Sequence, residues 1–119
     1  MSFVKMRDAQ IGYSAAVRLQ GGSMSVIMEA AVQTPQQYLA FAEEQCAHPQ
    51  GGCRRAAIDG AELLIRNPGK GYGIDVWAVR PDGTMLLVLA RAEVAGQPVP
   101  LTEQQLIDLV MSPQLTLYP

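Results

Sequence analysis

Ser23-Met24-Ser25-Val26-Ile27-Met28-Glu29 alternates polar and apolar positions in the manner of a strand with one buried face. Met85-Leu86-Leu87-Val88-Leu89-Ala90 is apolar on both faces, and in the run before it Ile74, Val76 and Ala78 oppose Trp77 and Val79. Between those runs Arg80-Pro81-Asp82-Gly83-Thr84 sets Pro and Asp at the centre of a tight turn with Gly after them, so residues 72–91 read as a hairpin. Gln20-Gly21-Gly22-Ser23 is the corresponding turn earlier in the chain. The apolar sets Tyr38, Leu39, Phe41, Ala42 and Leu106, Ile107, Leu109, Val110 fall at helical spacing and predict helices over 35–46 and 102–111. Thr34 and Thr102 are suited to N-caps, Pro35 occupies the first helical position, and Pro113 is expected to end the second helix.

These elements occur in the same order twice. Val4-Lys5-Met6-Arg7-Asp8 is similar to Leu63-Leu64-Ile65-Arg66-Asn67, Gly12-Tyr13 recurs as Gly71-Tyr72, and Val17-Arg18 as Val79-Arg80. Thr34-Pro35-Gln36-Gln37 parallels Thr102-Glu103-Gln104-Gln105, with a Pro- and Gly-containing insertion, Glu93 to Pro100, in the second copy. The expected architecture is one α+β domain over 1–119, its antiparallel sheet or sheets built from two tandem βββα units, 1–47 and 59–112, with the helices packed on one face. A hairpin apolar on both sides is then either central in the sheet or turned toward a partner, in which case Trp77, Leu86, Val88 and Ala90 are the candidate interface.

Composition narrows the functional classes. At 119 residues with 49% hydrophobic and 17% charged content, the chain is long enough for one core without metals or cross-links. Nine basic against eleven acidic residues, with no long run of either sign, argue against nucleic-acid binding. No apolar stretch has the length of a membrane helix, and Met1 to Gln10 lacks a signal peptide's apolar segment. Seven Arg to two Lys, with abundant Ala and Gly, fit a GC-rich bacterial genome.

Cys46 and Cys53 flank Ala47-His48-Pro49-Gln50-Gly51-Gly52, whose Pro and Gly residues turn the chain back, and a disulfide between them is expected in an oxidising compartment. A reduced pair, or a zinc site formed by Cys46, His48 and Cys53 with a carboxylate, is the competing reading; the second is short of ligands, because structural zinc takes four. With one histidine, acid–base and nucleophile constellations are hard to assemble. Gly69-Lys70-Gly71-Tyr72-Gly73 precedes a strand, whereas phosphate-cradling loops open a helix. Glu43 and Glu44 are adjacent on a helix and diverge, and Met24 and Met28 share a strand face with Val26 as core residues do. No catalytic set, metal or cofactor is expected from these residues.

Cys53, the Arg80-Pro81-Asp82-Gly83-Thr84 turn and Pro100-Leu101-Thr102-Glu103-Gln104-Gln105-Leu106 together resemble extracytoplasmic domains of actinobacterial membrane-anchored or secreted proteins. That resemblance covers about half the chain and implies an extracytoplasmic setting, but no activity. The expected function is accordingly a non-enzymatic sensory or protein-binding module, working with a protein partner or as a homodimer, with no membrane insertion within this chain. The alternative is a small cytosolic ligand-binding protein or enzyme with a pocket between sheet and helices, lined by Tyr38, Tyr72 or Trp77.

Overall fold

The computed structural model describes residues 4–5, 12–30, 37, 39–40, 43–44, 53–67, 73–94 and 96–112. Among these residues seven strands, β1 (Val4–Lys5), β2 (Gly12–Leu19), β3 (Gly22–Ala30), β4 (Cys53–Ile58), β5 (Ala61–Arg66), β6 (Ile74–Val79) and β7 (Thr84–Ala92), form one antiparallel sheet in the order β1-β2-β3-β7-β6-β5-β4. Residues 37, 39–40 and 43–44 are helical, and a second helix covers Glu103–Val110. The chain is an α+β protein.

The turns explain the strand pairing. In Arg80-Pro81-Asp82-Gly83-Thr84 the Gly83 N–H donates to the Arg80 carbonyl at 3.0 Å, and Asp82 Oδ1 accepts from the Thr84 N–H at 2.9 Å. β4 and β5 are joined by Asp59-Gly60, both with positive φ, 50° and 83°; that is the two-residue hairpin whose twist matches its strands. At the start of the 103–110 helix, Thr102 Oγ1 accepts from the Gln105 N–H at 3.1 Å while Gln105 Oε1 accepts from the Thr102 N–H at 2.8 Å. This reciprocal cap satisfies two donors that a helix start otherwise leaves open.

β3 and β7 meet at the centre along all of their length, Gly22 opposite Ala92 and Ala30 opposite Thr84, with Val26 opposite Val88 midway. Outward from that seam the order is β3, β2, β1 on one side and β7, β6, β5 on the other, with β4 added at the outer edge. The 72–91 hairpin is therefore central over its described strands, β6 and β7.

The two sheet faces have separate cores. On one, Val26, Leu63, Ile65, Val76, Leu86, Val88 and Ala90 pack against Leu106, Ile107 and Val110 of the 103–110 helix. On the other, Leu64, Trp77, Val79 and Met85 pack against Leu39 of the 37–44 helical segment. The expectation that both helices lie on one face is thus corrected: they lie on opposite faces. The physical reason is in β6 and β7, whose apolar residues point both ways, so that each side needs its own cover.

β4 shows the same division within two residues. Arg54 pairs with Glu103 at the start of one helix, and its neighbour Arg55, pointing to the opposite face, pairs with Glu43 in the other helical segment.

Candidate functional site

At one end of the face that carries Leu39, three strands supply a charged cluster. β5 ends on Arg66, β6 carries Asp75 at its second residue, and β7 carries Arg91 near its end; the register sets Arg66 opposite Asp75 and Asp75 opposite Leu89. Asp75 has 1% of its surface exposed and is one of two buried polar residues described. Burying a carboxylate is costly unless charge and hydrogen bonds compensate. Here Oδ2 meets the Arg66 guanidinium and Oδ1 accepts from Arg91 Nη1 at 2.6 Å, and the same Nη1 donates to the Ala90 carbonyl at 2.9 Å.

Gly73 makes room for this contact. A Cβ there would stand 2.6 Å from Arg91 Nη1 and 2.8 Å from its Cδ, and the backbone has φ 96°, where side chains are strained. One carboxylate thus holds two guanidiniums, and the cluster carries a net positive charge. The Arg66 and Arg91 side chains remain 23% and 41% exposed, so both reach solvent.

The cluster continues across the sheet. Arg91 is opposite Ser23 on β3, and Ser23 is opposite Arg18 on β2, so Arg18, Ser23 and Arg91 form one row on one face. Beside the row lies a cleft of about 410 Å³ lined by Arg18, Leu19, Ser23, Ala92, Glu93 and the backbone of the 20–22 turn. The Glu93 N–H donates to the Gly21 carbonyl at 2.8 Å and fixes the chain leaving β7 against that turn. Further along the face, Ser25, Ile27, Leu87 and Leu89 are only half-buried.

The residues singled out from the sequence lie elsewhere. Leu86, Val88 and Ala90 have no exposed surface and belong to the core under the 103–110 helix, and Trp77, 8% exposed, packs with Leu39. These four positions are internal to this chain, because the helical residues cover the parts of the two faces on which they lie. Cys53 opens β4, half-buried beside the Trp77 core; Cys46 and His48 lie outside the described residues, as do Tyr38 and Tyr72 of the alternative pocket. Met24 and Met28 are core residues on the face of Val26. Among the described residues no group of three His, Cys, Asp or Glu is placed to hold a metal ion, and no helix is long and apolar enough to cross a membrane.

The charged row was missed in the sequence. The signal was there: Asp75 is the one charged residue in Ile74-Asp75-Val76-Trp77-Ala78-Val79, and such a residue needs a partner on an adjacent strand.

Comparison with known proteins places no relative beside this arrangement: no family model, no curated protein and no solved structure matches the chain.

Proposed function

We propose that the chain is a non-enzymatic extracytoplasmic module that binds an acidic protein partner through the face formed by β2, β3 and β7. The observation that carries this reading is the half-buried aliphatic group Ile27, Leu87 and Leu89, bordered by Ser25 and by Arg18 and Arg91 at one end. Apolar surface rimmed by charge is the chemistry of protein contact sites. The described side chains on this face of the three strands include arginines and no carboxylate, in a chain of net charge −2. That favours a partner with Asp or Glu beside aliphatic side chains over a second copy, which would offer guanidinium to guanidinium.

The experiment is a titration of the ¹⁵N-labelled chain with a synthetic peptide of alternating Leu and Glu. Saturable shifts at Ile27, Leu87 and Leu89, abolished by Ile27→Asp, which touches neither core cluster, are expected. Absence of saturation, or a dimer in solution whose interface covers these residues, overturns the reading.

The setting is proposed on the Cys46 and Cys53 pair and on the resemblance of the Arg80–Thr84 turn and the Pro100–Leu106 helix entry. Alkylation of unfolded, unreduced protein from its native compartment should find no thiol, whereas two reactive thiols count against an oxidising location. The tandem origin of 1–47 and 59–112 belongs to the same proposal. It is supported by the matching outward order of strands from the β3–β7 seam, with the helices and β4 departing from it.

A further inference from the structure

β4 is the last strand on its side of the sheet, and among the described residues no strand lies beyond it. Sheet edges are commonly kept from pairing by bulges, prolines or charges. Cys53–Ile58 contains no proline, and its register with β5 runs unbroken from Cys53 opposite Arg66 to Ile58 opposite Ala61. Its two charges are matched within the chain, Arg54 by Glu103 on one face and Arg55 by Glu43 on the other. Both guanidiniums are thus drawn over the faces and away from the edge. The Asp59-Gly60 turn makes Ile58 and Ala61 a hydrogen-bonded pair, and the alternation of an antiparallel ladder then directs the backbone groups of Arg54 and Ala56 to β5. The N–H and C=O groups of Arg55 and Ala57 point outward, as an open ladder.

We propose that β4 pairs antiparallel with β4 of a second copy of this chain, across a two-fold axis at Ala56. Such an axis stands normal to the sheet and continues each face into the same face, so directly opposed residues come from one face. A register centred on Arg55 sets guanidinium opposite guanidinium, which is unfavourable. One centred on Ala56 sets Arg55 opposite Ala57 of the partner subunit and Arg54 opposite Ile58 of the partner subunit, so every arginine faces an uncharged side chain. The outward groups of Arg55 and Ala57 then bond to their counterparts across the axis. Charge favours the same arrangement. Glu62 is opposite Ala57 on β5 and exposed, and among the described residues no cation forms an ion pair with it. It therefore falls in line with Arg55 of the partner subunit, with Ala57 between them, and the two-fold axis makes this happen twice. An arbitrary extended peptide lacks that match, which favours a second copy. The docking face lies on β2, β3 and β7, so the two readings succeed or fail separately.

Edge pairing over one short strand is a small interface, and a weak dimer with a Kd of about 0.1 mM is expected. Sedimentation equilibrium of the full chain between about 0.01 and 1 mM should follow the change from monomer to dimer. Over the same range the ¹⁵N-labelled chain should show shifts and slower amide exchange at Arg55 and Ala57, while the amides of Arg54 and Ala56 are protected throughout. Ala57→Pro removes an outward donor and no bond to β5, at a position where an edge strand accepts proline, so it should keep the spectrum of the monomer and weaken association about tenfold. Glu62→Lys alters no backbone group and should weaken it too. A chain still monomeric at about 1 mM would overturn the proposal. So would equal protection of Arg55 and Ala57 at every concentration, which means that another segment of this chain covers the edge, or a dimer that neither variant weakens.

Discussion

Asp75 stands between Ile74 and Val76 in a strand buried along its whole length, and it is held there because Arg66 and Arg91 each meet one of its carboxylate oxygens. Both arginines reach solvent, so Asp75→Asn strands no buried charge; the isosteric amide keeps one acceptor, loses the charge assistance at both contacts and sets its NH2 against a guanidinium at one of them. Asp75→Asn should therefore destabilise the chain by about 1.5–3 kcal/mol, the range for hydrogen bonds to charged groups. Arg18→Gln, by contrast, should stay within about 0.5 kcal/mol, as surface substitutions do. Urea unfolding of the two variants checks both, and equal effects would mean that Asp75 is not what orders this end of the sheet. Asp75 was visible in the sequence as a lone charge in an apolar run, but its partners were not. Arg66 and Arg91 are nine and sixteen residues away, and only the pairing of β5, β6 and β7 brings them together.

Local chemistry made some elements legible and left others hidden. The Arg80–Thr84 turn and the Thr102 cap are specified by neighbours within four residues, and both formed as their residue types dictate. β4 was overlooked although Asp59-Gly60 is a strong hairpin signal, because Arg54 and Arg55 interrupt the apolar alternation used to recognise strands. The interruption is itself functional in the fold, since the two side chains point to opposite faces and each pairs with a helical carboxylate. Which face a helix covers is a long-range property, and for this reason the sequence pattern misassigned it.

The Arg55–Glu43 pair makes a prediction at this scale. The Arg55 guanidinium, hydrogen-bonded to Glu43, holds the Glu43 carboxyl below its ordinary range, and Glu43 in turn raises Arg55. A lowered carboxyl pKa contributes stability that is fully present above the unfolded value, about 4.3, and is lost as pH falls through the folded value. Arg55 stays protonated across this range and adds no titration of its own. The urea midpoint of the wild type should exceed that of Glu43→Gln above about pH 5 and converge on it at lower pH. A difference that does not change between pH 3 and 7 would mean that the pair is not the source.

For the whole molecule, the seam between β3 and β7 decides whether the sheet folds as one body. The β1–β2–β3 side contributes Ala15, Met24, Val26 and Met28 as its described buried apolar residues, and the last three pack into a cluster otherwise supplied by β5, β6, β7 and the 103–110 helix. Detached from β7, that side would keep hydrogen-bonded strands but lose the cover of its apolar face, and such a meander is not stable alone. Unfolding should therefore be a single cooperative transition despite the similar order of strands on either side of the seam. Val26 and Val88 are opposite one another there, both with no exposed surface. Truncating either to Ala should cost about 2 kcal/mol, from lost burial and the small cavity left behind, and should shift the urea midpoint without altering the slope m. The double variant should depart from additivity, because the two side chains share neighbours. Two resolved transitions, with Val26→Ala moving one and Val88→Ala the other, would show instead that the halves fold independently, and the seam would then be a contact between finished units rather than the centre of one core.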